Sequence, residues 1–465
     1  MKRRNFLKGS ALISGLLTLN PVDIIARPKA DVPHYAGKKA KNVIFMISDG
    51  MSSGTLAMAD LYSRMVLGRN SNWMQLYLDG KMSRALMDTA SASSIITDSA
   101  AASSALGGGV RVKNGVLNIG LNGEKHLPAW QEFKRMGKKA GCVTSVTITH
   151  ATPAGFCVNS SSRNAEPEIA MIYAEQGFDV LFGGGDEFFN PSKRKDGKDL
   201  YQTYQQKGYQ LLKKRSDLKS VSKDKPLLGI FNAGALPYAV DRANISNLQD
   251  TPTLAEMATT AIAQMKDHPE GFVLQIEGGK VDWAAHANDV AGLIHDQLAF
   301  DEAVKVVMDF AEKDGETLVI LTTDHGNANP GTIYGADVNK KFESISKYKY
   351  TNEYLLNAIK PDFNLQQVKD WVYEVNGFGL ADEDAKALLQ FYSGIEKEDG
   401  LYNYKHLPYK LYSEIQKKHN GVGWISMDHS GDYVELAMYG PGSQFLKPFV
   451  KNTDVNKIMR SAVAL

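Results

Sequence analysis

Cysteine is nearly absent from this chain: Cys142 and Cys157 are the two among 465 residues. Two thiols exclude a disulfide framework and a thiolate-held zinc, and they leave a single bridge open. Net charge is equally scarce. The 53 basic and 52 acidic residues leave a formal charge of +1, which offers no electrostatic footprint for nucleic acid or an anionic membrane surface. The apolar run near the start, Ala11 to Leu19, is too brief to span a bilayer. Internal repeats and long low-complexity tracts are also missing, and the charged stretch "NPSKRKDGKD" fits a solvated loop.

The start, "MKRRNFLKGSALISGLLTLN", has a basic head before that short run. Arg3 and Arg4 followed by Asn5-Phe6-Leu7-Lys8 resemble a twin-arginine export signal; an ordinary secretory signal is the alternative. No cysteine follows the run, which argues against a lipid anchor. Residues 1–37 are therefore expected to be export signal and linker, on a protein that ends up periplasmic or extracellular. The twin-arginine route carries proteins that are already folded.

A hydrophobic content of 43% allows a large core. "NVIFMIS", "AGCVTSVTI", "DVLFGGG", "LLGIFN", "GFVLQI", "TLVILTT" and, later, "YVELAMYG" have the length and residue types of buried strands. Helical stretches such as "TLAEMATTAIAQMKD" and "LIHDQLAFDEAVKVVMDFAEKDG" lie between them. The alternation predicts a three-layer α/β/α sandwich around a large, mostly parallel sheet. Residues 335–422 depart from it: "NLQQVKDWVYEV" and "PYKLYSEIQKKHN" are helical and aromatic, and predict an insertion within one catalytic domain over 38–465.

In a parallel α/β sheet, ligands bind beyond the carboxyl ends of the strands. "NVIFMIS" runs into Asp49-Gly50, "TSVTI" into Thr149-His150-Ala151-Thr152, "VLQI" into Glu277 and "LVILTT" into Asp324-His325. One aspartate closing a strand is often only a helix cap; four strands ending in oxygen or imidazole ligands point to a site. Asp282 and His286 are spaced i,i+4 and can face one ion, although alone they would read as a solvated helix face. His429 in "SMDHSGDY" is a further candidate. Carboxylates with imidazoles and no thiolates suit catalytic zinc, and all-oxygen sets suit magnesium. Two such ions about 4 Å apart can clamp the attacking and leaving oxygens of a phosphoryl displacement. The nucleophile that this needs is available in "IITDSAAASSAL", where Ser99 follows Asp98 and opens a helical run. A capping serine is the structural alternative.

These motifs carry a resemblance. "ISDGM", "TDSAAASSAL", "THATPAG" with Arg163 downstream, "IEGGKVDWAAH", "TTDHGNA" and "DHSGD" occur in the order found in alkaline phosphatases, from about residue 41 to the C-terminus. The resemblance implies hydrolysis of small phosphate monoesters through a phosphoserine at Ser99. It implies one zinc held by Asp282, His286 and His429 and a second by Asp49, Asp324 and His325. A third ion, usually magnesium, would lie between Asp49, Thr152 and Glu277. Arg163, steadied by Asp98, would clamp two phosphate oxygens, in a homodimer.

The sequence departs from the best-known bacterial members at two positions. They carry aspartate where His150 stands and lysine where Trp283 stands; animal members share the histidine. His150 is thus expected to ligate or crowd the third ion, and Trp283 to leave product phosphate less tightly held. Rival readings are a related hydrolase of phosphodiesters, phosphonates or sulfate esters, and a non-catalytic phosphate- or metal-binding protein. Those hydrolases usually carry a threonine or a modified cysteine or serine nucleophile, so Ser99 with Arg163 speaks against them.

Overall fold

The computed structural model describes residues 35–463 apart from 36, 393–396, 399–400 and 403–405. The expected export segment thus lies outside the described residues, but for Tyr35 and Gly37. Ten strands form the main sheet: β1 (Asn42–Ile47), β2 (Ser83–Asp88), β3 (Lys139–Thr147), β4 (Val180–Gly184), β5 (Gln210–Leu212), β6 (Leu227–Ile230), β7 (Phe272–Glu277), β8 (Thr317–Thr322), β9 (Val434–Tyr439) and β10 (Phe449–Lys451). Their order across the sheet is β10-β2-β9-β8-β1-β7-β3-β4-β6-β5. β9 runs antiparallel to both neighbours, β2 and β8, and the other pairings are parallel.

Every apolar run read from the sequence as a strand is one. The unanticipated strands lie toward the two margins, where pattern is weak. β5 and β10 have three residues each, and β2, "SRALMD", buries only Ala85 and Met87.

The helices that frame the site are, in chain order, α1 (Ser53–Val66), α2 (Ser99–Ser103), α3 (Ala151–Cys157), α4 (Glu166–Gln176), α5 (Leu254–Met265), α6 (Lys280–His286), α7 (Val290–Asp314), α8 (Asn352–Ala358), α9 (Leu365–Asn376), α10 (Asp382–Phe391), α11 (Tyr409–Asn420) and α12 (Asn452–Val463). Strand side chains alternate between faces, so β1 feeds two cores. Ile44 and Met46 meet α1, α5 and α7, while Val43, Phe45 and Ile47 meet α3, α4 and α12. The sheet is thus covered on both sides, which is why its strands are apolar at consecutive positions. α5 starts at a capping box, with Thr253 Oγ1 accepting from the Glu256 amide and Glu256 from the Thr253 amide.

Helices α8 to α11 enclose a smaller core of their own, including Leu355, Leu356, Val368, Val372, Val375, Leu388 and Tyr412. Their base is tied beside α6. Asp289, which caps α7, accepts from the Asn352 amide at 2.6 Å. Asp241 accepts from the amide and hydroxyl of Thr351 at 2.8 Å each. The bridge left open by the sequence is not formed: Cys142 on β3 and Cys157 at the end of α3 are buried free thiols, 3.5 Å apart.

Candidate active site

Strand order determines how the candidate ligands meet. β8, β1, β7 and β3 are consecutive neighbours, so Asp324 and His325, Asp49, Glu277, and His150 with Thr152 emerge side by side along one edge of the sheet. Strand spacing of about 4.8 Å then fixes their separation. All of these are fully buried except His150, which is partly exposed.

Three groups of ligand atoms result. At the first, Asp282 Oδ2 lies 3.4 Å from His286 Nε2 and Oδ1 lies 3.6 Å from His429 Nε2. His286 Nδ1 bonds the Met427 carbonyl at 2.6 Å, and His429 Nδ1 bonds that of Thr97 at 2.9 Å. A carbonyl only accepts, so each Nδ1 holds a proton, and in the neutral rings each Nε2 presents a bare lone pair. The two Nε2 atoms nevertheless stand 3.1 Å apart. Two lone pairs at that distance repel, and a cation bound by both would relieve the repulsion. At the second group, His325 Nε2 is 3.5 Å from Asp49 Oδ1 and 3.3 Å from Asp324 Oδ2. Both carboxylate oxygens are buried without a hydrogen-bond partner. Orphaned charged oxygens are costly without a counter-charge. The third group joins Asp49, Glu277 and His150, with Thr152 Oγ1 3.3 Å from Asp49 Oδ2.

Electrostatics agree with the geometry. Burial, then the charges of Asp324, Asp282 and Glu277, holds the Asp49 carboxyl well above its usual range. Burial also pushes Asp324 up to about 6 and His325 and His429 down to about 4. Neutral imidazoles among crowded carboxylates are what divalent cations require. The donor sets of carboxylates and imidazoles fit divalent cations.

Ser99 is the first residue of α2. Asp98 caps that helix through the Ala101 amide at 2.9 Å, and Ser99 Oγ lies 3.2 Å from His325 Nε2. The second carboxylate oxygen of Asp98 accepts from Arg163 Nη1 at 3.1 Å and from the Gly115 amide at 2.9 Å. Arg163 Nη2 stands 3.1 Å from His150 Nε2. Guanidinium only donates, so His150 accepts there and carries its proton on Nδ1, 3.2 Å from Glu277 Oε1. One hydrogen-bonded chain therefore runs from Glu277 through His150 and Arg163 to the residue beside Ser99. Every candidate named from the sequence, including Trp283, lies at this edge.

The chain matches the family description "Alkaline phosphatase" over residues 40–465. It is 33% identical over 441 residues to alkaline phosphatase 4 of Bacillus subtilis (strain 168), covering 93% of this chain and 90% of that one. It is 30% identical to an alkaline phosphatase of Schizosaccharomyces pombe, covering 91% and 81%. The crystal structure of Thermus thermophilus alkaline phosphatase superposes with a TM-score of 0.84 at 31% identity, covering 97% and 96%. The chain belongs to the alkaline phosphatase family. It is a hydrolase of phosphate monoesters on a mostly parallel α/β sandwich.

Within this alkaline phosphatase fold, several supporting residues carried no sequence signal of their own. Asn327 donates to Asp282 Oδ1 at 2.7 Å, and Thr144 donates to Glu277 Oε2 at 2.5 Å. Lys280 is buried in the same turn as Trp283, with its ammonium 3.5 Å from the Tyr238 ring centroid and 4.5 Å from that of Trp283. Trp283 also meets His150 edge-on, with centroids 6.4 Å apart. Trp283 therefore contacts both Lys280 and His150.

Proposed function

We propose that this enzyme hydrolyses small phosphate monoesters through a phosphoserine at Ser99, with zinc at the first two ligand groups and magnesium at the third. The observation that carries the reading is the convergence of bare imidazole nitrogens and orphaned carboxylate oxygens on one buried hydroxyl, with Arg163 held alongside. Asp282, His286 and His429 would hold one cation, Asp49, Asp324 and His325 the next, and Asp49, Thr152 and Glu277 the third, with His150 beside it. Such cations supply Lewis acidity toward oxygens that gain negative charge. Ser99 Oγ gives up its proton to solvent and attacks phosphorus, the bond from phosphorus to the leaving oxygen breaks, and that alkoxide takes a proton from water. A water molecule then cleaves the seryl phosphate, releasing inorganic phosphate and restoring the Ser99 hydroxyl. Arg163 presents two parallel N–H groups to equatorial oxygens, a geometry lysine lacks, and Asp98 and His150 hold it in place.

Residues 38–465 act as one catalytic domain, with the helical segment 335–422 as an insertion beside the site. The twin-arginine-like start supports export to the periplasm or beyond. Among the described residues no helix is long and apolar enough to cross a membrane. Family membership supports a homodimer, and Trp283 in place of a cation supports weak retention of product phosphate. The test is Ser99→Ala, assayed for aryl phosphate turnover and metal content. Turnover should fall by several orders of magnitude with metal content unchanged. Retained turnover would overturn the assignment.

A further inference from the structure

We propose that Glu166 is a positioning residue whose carboxylate fixes the phosphate-gripping arginine against the strand-end turn that carries His150. The proposal rests on Arg163 being the phosphate ligand. β3 ends in a tight turn in which the His150 amide bonds the Thr147 carbonyl at 2.9 Å. Thr147, the last residue of β3, and Thr149, within the turn, both direct their hydroxyls at Glu166. Each hydroxyl donates to the same oxygen, Oε2, at 2.7 Å. Ile148, between them, is directed into the core, and its carbonyl accepts from Tyr173 on α4 at 3.2 Å.

Glu166 opens α4, three residues after Arg163. Three residues span at most about 10 Å, so the anchorage of Glu166 limits where Arg163 can go. The Arg163 backbone is held on its other side by the Gly115 carbonyl at 2.8 Å. The guanidinium therefore bridges two separately anchored pieces, Asp98 and His150, and the link between Glu166 and the two threonines keeps the second piece in register. Thr149 is fully buried and Thr147 is 7% exposed, so neither hydroxyl can turn to bulk water if the carboxylate is lost. Without that acceptor the turn must shift to satisfy them, taking His150 with it.

The variants are Glu166→Leu, which accepts nothing, Glu166→Gln, whose amide oxygen still accepts both hydroxyls, and Thr147→Val/Thr149→Val, which removes the donors. Inorganic phosphate binding to the metal-loaded enzyme is measured by calorimetry, with zinc and magnesium content and Tm recorded alongside. Glu166→Leu should weaken phosphate about tenfold or more and raise KM more than it lowers kcat, with the zinc content unchanged. Glu166→Gln should stay within about threefold of wild type. The double valine variant should reproduce the loss, and the triple combination should add nothing further. If Glu166→Leu does not yield folded protein, the double valine variant and Glu166→Gln carry the test. Unchanged phosphate affinity without the acceptor or the donors, or losses that simply add, would overturn the proposal. A wild-type enzyme that neither binds phosphate nor turns over monoesters would instead refute the role of Arg163.

Discussion

Replacing Gly50 by alanine tests how closely the end of β1 is fitted to α6, the helix that carries Asp282. Gly50 follows Asp49 at φ +64, and a Cβ there would lie 2.4 Å from Asp282 Oδ1, 2.9 Å from its Cβ and 3.0 Å from its Cα. Alanine in left-handed backbone costs about 1–2 kcal/mol. Overfilling a tight site costs about 1–3 kcal/mol more, because the obstacle is partly the backbone of α6 and not a flexible side-chain tip. Gly68 supplies the control: it has φ +69 with nothing within 4 Å of an added Cβ, so Gly68→Ala carries the backbone cost alone. The excess at Gly50 has one ready outlet, displacement of Asp282. At about 1.4 kcal/mol per tenfold, an excess of about 1–3 kcal/mol appears as a roughly five- to hundredfold loss of affinity at the first ligand group. Zinc content is measured across buffered free zinc for both variants, together with Tm. If Gly50→Ala matches Gly68→Ala in both, the close approach of β1 and α6 is not what positions Asp282.

Three further outcomes are expected. Asp98→Ala removes a helix cap and the acceptor for both Arg163 and the Gly115 amide. It should lower stability by about 1–3 kcal/mol and raise the phosphate inhibition constant, whereas an unchanged constant would free Arg163 from dependence on Asp98. Trp283→Lys should lower that inhibition constant by about five- to tenfold, since an added ammonium near phosphate is worth about 1 kcal/mol; no change would refute the assigned cause of weak product retention. Burial pushes the Asp296 carboxyl up to about 7, with Asp241 and Asp289 adding to the shift, Lys280 opposing it, and the Ala239 amide donating to Oδ2 at 3.0 Å. Its unfolded value is about 3.9. The folded form thus holds the extra proton between those values, and this contribution to stability is lost as pH rises from about 4 to about 7. Asp296→Asn keeps the amide bond and should flatten that decline in Tm scans from pH 5 to pH 8; an unaltered slope would exclude Asp296 as its source.

What could be read from the sequence was what is local along it. An aspartate or histidine closing an apolar run already announces a strand end, and the i,i+4 spacing of Asp282 and His286 survives as a shared helical face. The neighbour relations were not readable. That β1 lies between β8 and β7, which lets Asp49 face both Asp324 and Glu277, depends on pairings across more than 200 residues of chain. Shorter separations were no more readable: Glu166 meets Thr149 across 17 residues, and Lys280 lies against the ring of Tyr238. The marginal strands β5 and β10 escaped because three residues carry too little alternation to stand out.

Asp49 belongs to two of the three ligand groups. A side chain owned jointly by two pockets makes their binding equilibria interdependent, and by thermodynamic reciprocity each occupant changes its neighbour's affinity by the same factor. Loading then cannot be divided into independent steps. Partly filled molecules become a population with its own properties, and the order in which ions are offered becomes a variable of any reconstitution. A substitution at Asp49 would disturb two pockets at once, so the number of ions lost would exceed the number of ligands removed.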